Sequence, residues 1–373
     1  MNTDNYHDAQ NKQNILKLRA VLDTLPPFCQ EFFRGIADTT STRTRLAYAY
    51  DIRVFFEFLH ETNPSCAKVE IKEIPIKVLN QVTRQDIEEY LSYISYYEKE
   101  GREITNTERG KARKLSSLRS FYNYYFQNER IEKNTAELVP VPKLHEKAII
   151  RLEPNEVATL LDQVEAGAKL TKKELAYHEK TKVRDMALLT LLLGTGIRVS
   201  ECVGLDLQDV DFENDGIKIR RKGGYEAVVY FGDEVESALR EYMKEREHIL
   251  PASGHENALF LSMQNRRIAV RSVENLVKKY ASRVTTLKKI TPHKLRSTYG
   301  TTLYQETGDI YLVADVLGHK DVNTTRKHYA TMEDERRRMA AKVVKLREEN
   351  TNKPEVCHLW LVRIRLFRQV VII

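Results

Sequence analysis

The chain has 373 residues, enough for two domains or three small ones with buried cores, so a peptide or a mini-scaffold is excluded. A hydrophobic fraction of 42% beside 30% charged residues excludes disorder throughout. Sixty Lys and Arg against 53 Asp and Glu leave a net charge of +7, and the polar opening Met1-Asn2-Thr3-Asp4 is no secretory start. The four cysteines, Cys29, Cys66, Cys202 and Cys357, stand far apart without a CxxC pair, which predicts a reducing cytoplasm, no structural zinc and no disulfide framework.

In chain order, a polar segment over 1–25 gives way after Pro26-Pro27 to a short aromatic helix around Phe28 to Phe33. From Thr42, the residues Leu46, Ala49, Tyr50, Val54, Phe55, Phe58 and Leu59 recur at steps of three and four, the mark of an amphipathic helix. Thr83 and Asp86 resemble a capping box opening a second helix with Ile87, Tyr90, Leu91 and Ile94 on its stripe. A third runs from about Thr107 to Gln127, where Arg109, Lys111, Arg113 and Lys114 precede Leu115, Leu118, Phe121, Tyr122 and Tyr125. Residues 26–133 therefore read as a helical bundle and 134–150, with Pro140 and Pro142, as a linker.

A second domain over 151–349 opens at Glu153-Pro154-Asn155-Glu156, with Pro at a first helical position ahead of Val157, Leu160 and Leu161. A buried helix from Asp185 to Leu193 stops at Gly194-Thr195-Gly196. Three short strands follow at Val210–Phe212, Ile217–Ile219 and Ala227–Phe231, separated by Asn214-Asp215-Gly216 and Gly223-Gly224. From Asp233 to Lys345 the pattern is nearly all helical, so the fold class is mainly α with a small antiparallel sheet. In the tail, 350–373, Arg363, Arg365 and Arg368 interrupt apolar residues, which argues against a membrane span and leaves its role open.

Charge is unevenly spread. Residues 201–250 hold 7 basic and 13 acidic side chains, whereas 251–300 hold 10 basic and 2 acidic. Such a basic stretch attracts a phosphate backbone, although a solvated helix face would look the same in sequence.

Thr291-Pro292-His293-Lys294-Leu295-Arg296 opens a helix with Thr as cap, and the three-residue step puts His293 and Arg296 on one face of its first turn. Alone, that pair would pass for surface residues. Upstream, however, Gly194-Thr195-Gly196-Ile197-Arg198-Val199-Ser200-Glu201 places an arginine at a helix start behind two glycines. Lys222 sits beside Gly223-Gly224 in the hairpin, and downstream come Leu317-Gly318-His319, Thr324-Thr325 and Tyr329. In this order and spacing, the set resembles the signature of the tyrosine recombinase, or phage integrase, family, with a plan nearest to single-protein Xer recombinases. The likeness covers about residues 26 to 348. In the family the tyrosine usually lies nine residues after the Gly-His histidine, a place held here by His328; a subset shares the Lys327-His328-Tyr329-Ala330 ending seen here.

The resemblance implies a SAM-like core-binding domain over 26–133, a mixed α/β catalytic domain over 151–349, and cleavage and rejoining of DNA through a 3′-phosphotyrosyl intermediate, for integration, excision or chromosome dimer resolution. It makes Tyr329 the nucleophile, Lys222 the acid for the 5′ leaving oxygen, His293 the acceptor of the tyrosine proton, and His319 a phosphate contact. Arg198 and Arg296 grip the non-bridging oxygens, and Glu201 orients a catalytic side chain. Arg43, Arg109, Lys111, Arg113 and Lys114 become candidate DNA contacts. No metal, ATP or other cofactor is implied; the partners are duplex DNA with paired sites, three further copies in a tetramer, and an accessory directionality factor, without a membrane. Met339, Val343, Val344 and Leu346 mark a helix over 333–345 that in the family packs on a neighbouring protomer.

Chemistry supports the same set. Breaking a phosphodiester without a metal needs positive charge on the two non-bridging oxygens, a nucleophile and a proton donor for the leaving oxygen. Arginine grips such oxygens bidentately where lysine cannot. Three other readings compete: an inactive DNA-binding regulator of the same fold, a type IB topoisomerase-like strand transferase, and a metal-dependent nuclease using His293, His319 and His328. The last lacks carboxylates apart from Asp315 and Asp321.

Overall fold

The structure, a computed structural model, describes residues 6–143, 150–221, 224–319 and 321–322, and the chain divides into two compact units, 1–306 and 307–373. The first unit contains two separate apolar cores, one drawn from Leu18 to Val139 and the other from Leu152 to Leu295.

The first core is built by α1 (Tyr6–Leu22), α2 (Cys29–Gly35), α3 (Thr42–Thr62), α4 (Val78–Gln81), α5 (Arg84–Tyr93), a hairpin of β1 (Tyr96–Lys99) and β2 (Arg102–Thr105), and α6 (Glu108–Gln127). The capping box forms as expected: Thr83 Oγ1 accepts from the Asp86 N–H at 3.3 Å, and Asp86 Oδ2 accepts from the Thr83 N–H at 2.7 Å. Ser41 caps α3 by accepting from the Thr44 N–H at 3.2 Å. Aromatics then lock α2, α3 and α6 together; Phe32 of α2 and Phe56 of α3 both meet Phe121 of α6 edge-on, at 5.2 and 6.2 Å between ring centres. Two elements go beyond the sequence expectation. The polar segment 1–25 is largely helix, with only Leu18 and Val21 of α1 buried, and residues 96–105 form a hairpin.

The second core gathers around α9 (Lys182–Thr195). Before it lie α7 (Pro154–Ala166) and α8 (Lys172–His178). After it come α10 (Val199–Gly204), the antiparallel sheet of β3 (Val210–Asp211), β4 (Gly216–Arg220) and β5 (Glu226–Tyr230), then α11 (Asp233–Glu247), α12 (Val270–Val284) and α13 (Pro292–Thr307). Ala187, Leu188, Leu189, Leu191 and Leu192 are all buried, so α9 is surrounded on every side and its sequence reads as a continuous apolar run. In β4 the period-two rule holds: Ile217 and Ile219 point into the core while Lys218 faces out to Glu226.

One stretch corrects the helical expectation for 233–345. Residues 248–269 form turns and two isolated bridges, Asp206 with Ala258 and Leu261 with Arg267. Pro251 removes a donor, and Gly254 and Asn265 take positive φ, which a helix cannot accommodate. In the second unit, α14 (Ile310–Leu317) is capped by Asp309, whose Oδ1 accepts from the Tyr311 and Leu312 N–H groups at 2.8 and 3.0 Å. Lys222, Tyr329, Cys357, the helix expected over 333–345 and the 350–373 tail lie outside the described residues. Among those described, no helix is long and apolar enough to cross a membrane, and Cys29, Cys66 and Cys202 are buried free thiols.

Candidate active site

The site begins where α9 ends. Gly196 takes a left-handed conformation (φ 63°), and its N–H closes the helix on Leu192 O at 3.2 Å. A side chain here would be strained, which explains why glycine stands at the turn. The chain then runs through buried Ile197 to an extended Arg198, the residue that caps α10.

Glu201, three residues into that helix, is buried and spends both oxygens on one neighbour. Oε2 accepts from the Arg198 N–H at 2.7 Å and Oε1 from Arg198 Nη1 at 2.7 Å. Backbone and guanidinium of Arg198 are thereby fixed together, while a third of the arginine side chain (34%) stays accessible. The negative end of this pair also sits at a helix start, where the macrodipole favours it.

α13 brings the second arginine. Thr291 O accepts from the Leu295 N–H at 3.1 Å, Pro292 occupies the first helical position, and Leu295 is anchored in the core. Arg296, one turn along, is 5% exposed, and its Nη1 donates to Gly196 O at 2.6 Å. That bond spans a hundred residues of chain and ties the His-x-x-Arg helix to the turn two residues before Arg198. His293, on the same face as Arg296 by sequence step, is exposed. Thr298 Oγ1 accepts from the Leu152 N–H at 3.0 Å, tying the opposite side of α13 to the start of the domain.

The other expected residues fall differently. β4 and β5 pair up to Arg220 with Glu226, and the Arg221 N–H donates to Tyr225 O at 2.7 Å, so the hairpin brackets positions 222–223. His319 belongs to the second unit, where its N–H donates to Ala314 O at 2.8 Å after the left-handed Gly318. Tyr304 is buried in α13 and Tyr311 is exposed on α14.

Of the candidate DNA contacts, Arg43 and Arg109 are exposed, and Lys111 donates to Ser95 Oγ at 3.0 Å. Arg113 binds both oxygens of buried Asp51, with half of its side chain (50%) still exposed. Lys114 departs from the expectation: it is buried, and its ammonium donates to Asp51 Oδ1 at 3.1 Å. A cation satisfied inside the core is a structural tie, because withdrawing it would strand the carboxylate.

The basic stretch 251–300 is also less available than its count suggests. Arg267 binds Asp206, Lys279 binds Asp185, Arg283 binds Glu174, Lys288 binds Glu156, and Arg271 binds Glu274. Four of these five acids lie outside the stretch, so a linear window sees the cations without their partners. The sequence also gave no sign of Asp51 or Asp185 as buried anions holding several donors each.

The sequence matches the phage integrase family over residues 151–336 and the phage integrase N-terminal SAM-like domain over 29–129. Tyrosine recombinase XerC of Caldanaerobacter subterraneus subsp. tengcongensis is 32% identical over 337 residues, covering 87% of this chain and 88% of that protein. Tyrosine recombinase XerS of Streptococcus gordonii is 30% identical over 352 residues, covering 87% and 96%. Among solved structures, XerH site-specific recombinase bound to palindromic difH substrate aligns with a TM-score of 0.59 at 20% identity, covering 83% and 82%. The Tn1549 transposon integrase with circular intermediate DNA aligns at 0.59 and 22%, covering 83% and 98%. At those identities the structural likeness speaks to the fold.

Proposed function

The chain belongs to the phage integrase family, and from that premise we propose that it is a site-specific DNA recombinase that cleaves and rejoins strands through Tyr329. The observation that carries this reading is the Arg296 to Gly196 bond, which draws the guanidinium of α13 to the turn that presents Arg198. Two arginines gathered at one turn, one of them braced by a buried carboxylate, suit the two non-bridging oxygens of a phosphodiester.

In this reading Tyr329 attacks phosphorus, a 3′-phosphotyrosyl bond forms, and the 5′ oxygen leaves with a proton from Lys222 in the β4–β5 hairpin. His293 takes the tyrosine proton, and His319 bonds the phosphate. The phosphotyrosyl bond is then broken by the 5′-hydroxyl of the same strand or of a partner strand, so the step is reversible and consumes no nucleotide. Paired sites call for a tetramer on DNA, with a directionality factor as a further partner, in the cytoplasm where the chromosome lies. Exposed Arg43 and Arg109 and the outward edge of Arg113 are the contacts proposed for the core-binding domain; Lys114 is not among them.

The test is a nicked duplex carrying the recombination site, incubated with the full chain in EDTA. A covalent adduct that maps to Tyr329 and is absent from Tyr329→Phe is expected. An adduct that survives in Tyr329→Phe overturns Tyr329 as the nucleophile, and wild-type protein that binds the site without ever forming one overturns the assignment in favour of a DNA-binding regulator.

A further inference from the structure

α1 lies ahead of both matched segments, which begin at residues 29 and 151, and its two ends belong to different cores. At its C-terminal half, Leu18 and Val21 are buried in the first core. Midway, Asn11 Oδ1 accepts from Thr42 Oγ1 at 2.7 Å and Asn14 Nδ2 donates to the same hydroxyl at 3.3 Å, clasping the first turn of α3. At its N-terminal end, Tyr6 packs against the second core.

The landing point of Tyr6 is specific. Its ring lies under the Arg267 guanidinium, 5.4 Å from carbon to ring centre. That guanidinium in turn donates to Val203 O at 3.2 Å and Leu205 O at 2.7 Å and pairs with Asp206, so it pins the segment in which α10 ends. Gly204 keeps the approach close, since a Cβ there would stand 3.1 Å from His7 Nε2 and 3.3 Å from Tyr6 Cδ1, tighter than ordinary van der Waals contact. His7 is half-buried beside Arg220 at the end of β4, and burial together with that charge holds its imidazole below the ordinary histidine range. The element touched is therefore α10, capped by Arg198, while the charge of Arg220 at the end of β4, the strand that leads into the Lys222 hairpin, reaches His7.

We propose that α1 is an interdomain brace, and that Tyr6 is a positioning residue that holds α10 and its Arg198 in register with the core-binding domain. This rests on the recombinase reading for its activity arm, but the contact itself does not. A brace of this kind makes the geometry of Arg198 depend on the domain that grips DNA, so a loosened brace should slow the chemical step more than binding.

The experiment compares full-length wild type, Tyr6→Ala and Tyr6→Phe by amide hydrogen exchange and by adduct formation at saturating nicked DNA. In Tyr6→Ala, exchange over residues 199–207 should rise about fivefold or more, because a packed contact over that segment is lost. The adduct rate should fall roughly tenfold with DNA affinity within about threefold, as expected of a small misplacement of a catalytic group. Tyr6→Phe keeps the ring under Arg267 and should match wild type in both. Unchanged exchange over 199–207 in Tyr6→Ala, or equal defects in Phe and Ala, would overturn the brace. If wild type itself forms no adduct, the recombinase reading fails, and the exchange data still decide whether the brace exists.

Discussion

Two buried carboxylates, Asp185 in the first turn of α9 and Glu201 in α10, show how the same group can serve two purposes. Asp185 gathers donors from several elements: Thr181 Oγ1 at 3.0 Å, Arg184 Nη2 at 2.6 Å, Tyr280 OH at 3.0 Å and Lys279 Nζ at 3.4 Å. Arg184 continues to Leu261 O at 2.9 Å, and Tyr280 to His178 Nδ1 at 3.0 Å. The anion is thus a cross-link between α9 and α12, and its reach across the fold is the measure of its structural weight. Among the described residues Glu201 gives both oxygens to Arg198, so its effect falls on how that guanidinium is presented. Removing the first should unsettle the fold, and removing the second should unsettle the chemistry.

Asp185→Ala should produce the largest change. It leaves Lys279 and Arg184 without their carboxylate and should cost about 3 kcal/mol or more, the scale of breaking a buried ion pair. In a chain of 373 residues that is a fall of roughly 4 °C in Tm by calorimetry. Adduct formation per folded molecule, measured well below the transition, should stay near wild type. A large loss of activity in the folded fraction would erase the proposed division between the two carboxylates.

Glu201→Gln is the reciprocal change. The amide oxygen can still accept from the Arg198 N–H, but the charge opposite the guanidinium is gone. Single-turnover cleavage should slow roughly tenfold, the loss of one charge-assisted hydrogen bond. The Tm should move far less than in Asp185→Ala; an equal fall would make Glu201 a second structural anchor.

The smallest effect comes from His178, which shares Tyr280 with Asp185. Burial, aided by the Lys279 charge, pushes its pKa down, so the unfolded chain takes up a proton at a higher pH than the folded one. The stability this histidine contributes is full above the ordinary histidine range and is lost as pH falls through it. Between about pH 7.5 and about pH 5.5, Tm should therefore fall more steeply in wild type than in His178→Gln. Parallel profiles would mean that the imidazole does not titrate with folding.

The contrast also explains what could be read from the sequence. Glu201 lies three residues from Arg198, as Asp86 does from Thr83, and partners at that separation can be read directly as helix starts. The Gly194-Thr195-Gly196 stop, the β4–β5 pairing and the Pro292 start were legible for the same local reason. Lys279 is 94 residues from Asp185, and Arg113 and Lys114 are 62 and 63 from Asp51, so nothing local distinguishes a buried tie from a DNA-facing charge. α1 escaped notice because only Leu18 and Val21 are buried in it, too few to make a stripe. Residues 248–269 carried their turn signals in Pro251 and Gly254, but the helical patterns on either side masked them.

The most direct test of the account is whether Arg198 and Arg296 act on phosphate charge. Each arginine would be replaced by alanine and assayed on two nicked duplexes, one with an ordinary scissile phosphate and one with a methylphosphonate, which lacks one anionic oxygen. On the phosphate, each variant should lose roughly a hundredfold or more in single-turnover cleavage by Tyr329, the scale of one preorganised contact to a developing oxyanion. On the methylphosphonate, at least one of the two should come within about tenfold of wild type, because the charge it would neutralise is already gone. If both keep the full hundredfold defect on the neutral substrate, the arginines shape the turn around Gly196 and do not stabilise the phosphate, contradicting the account.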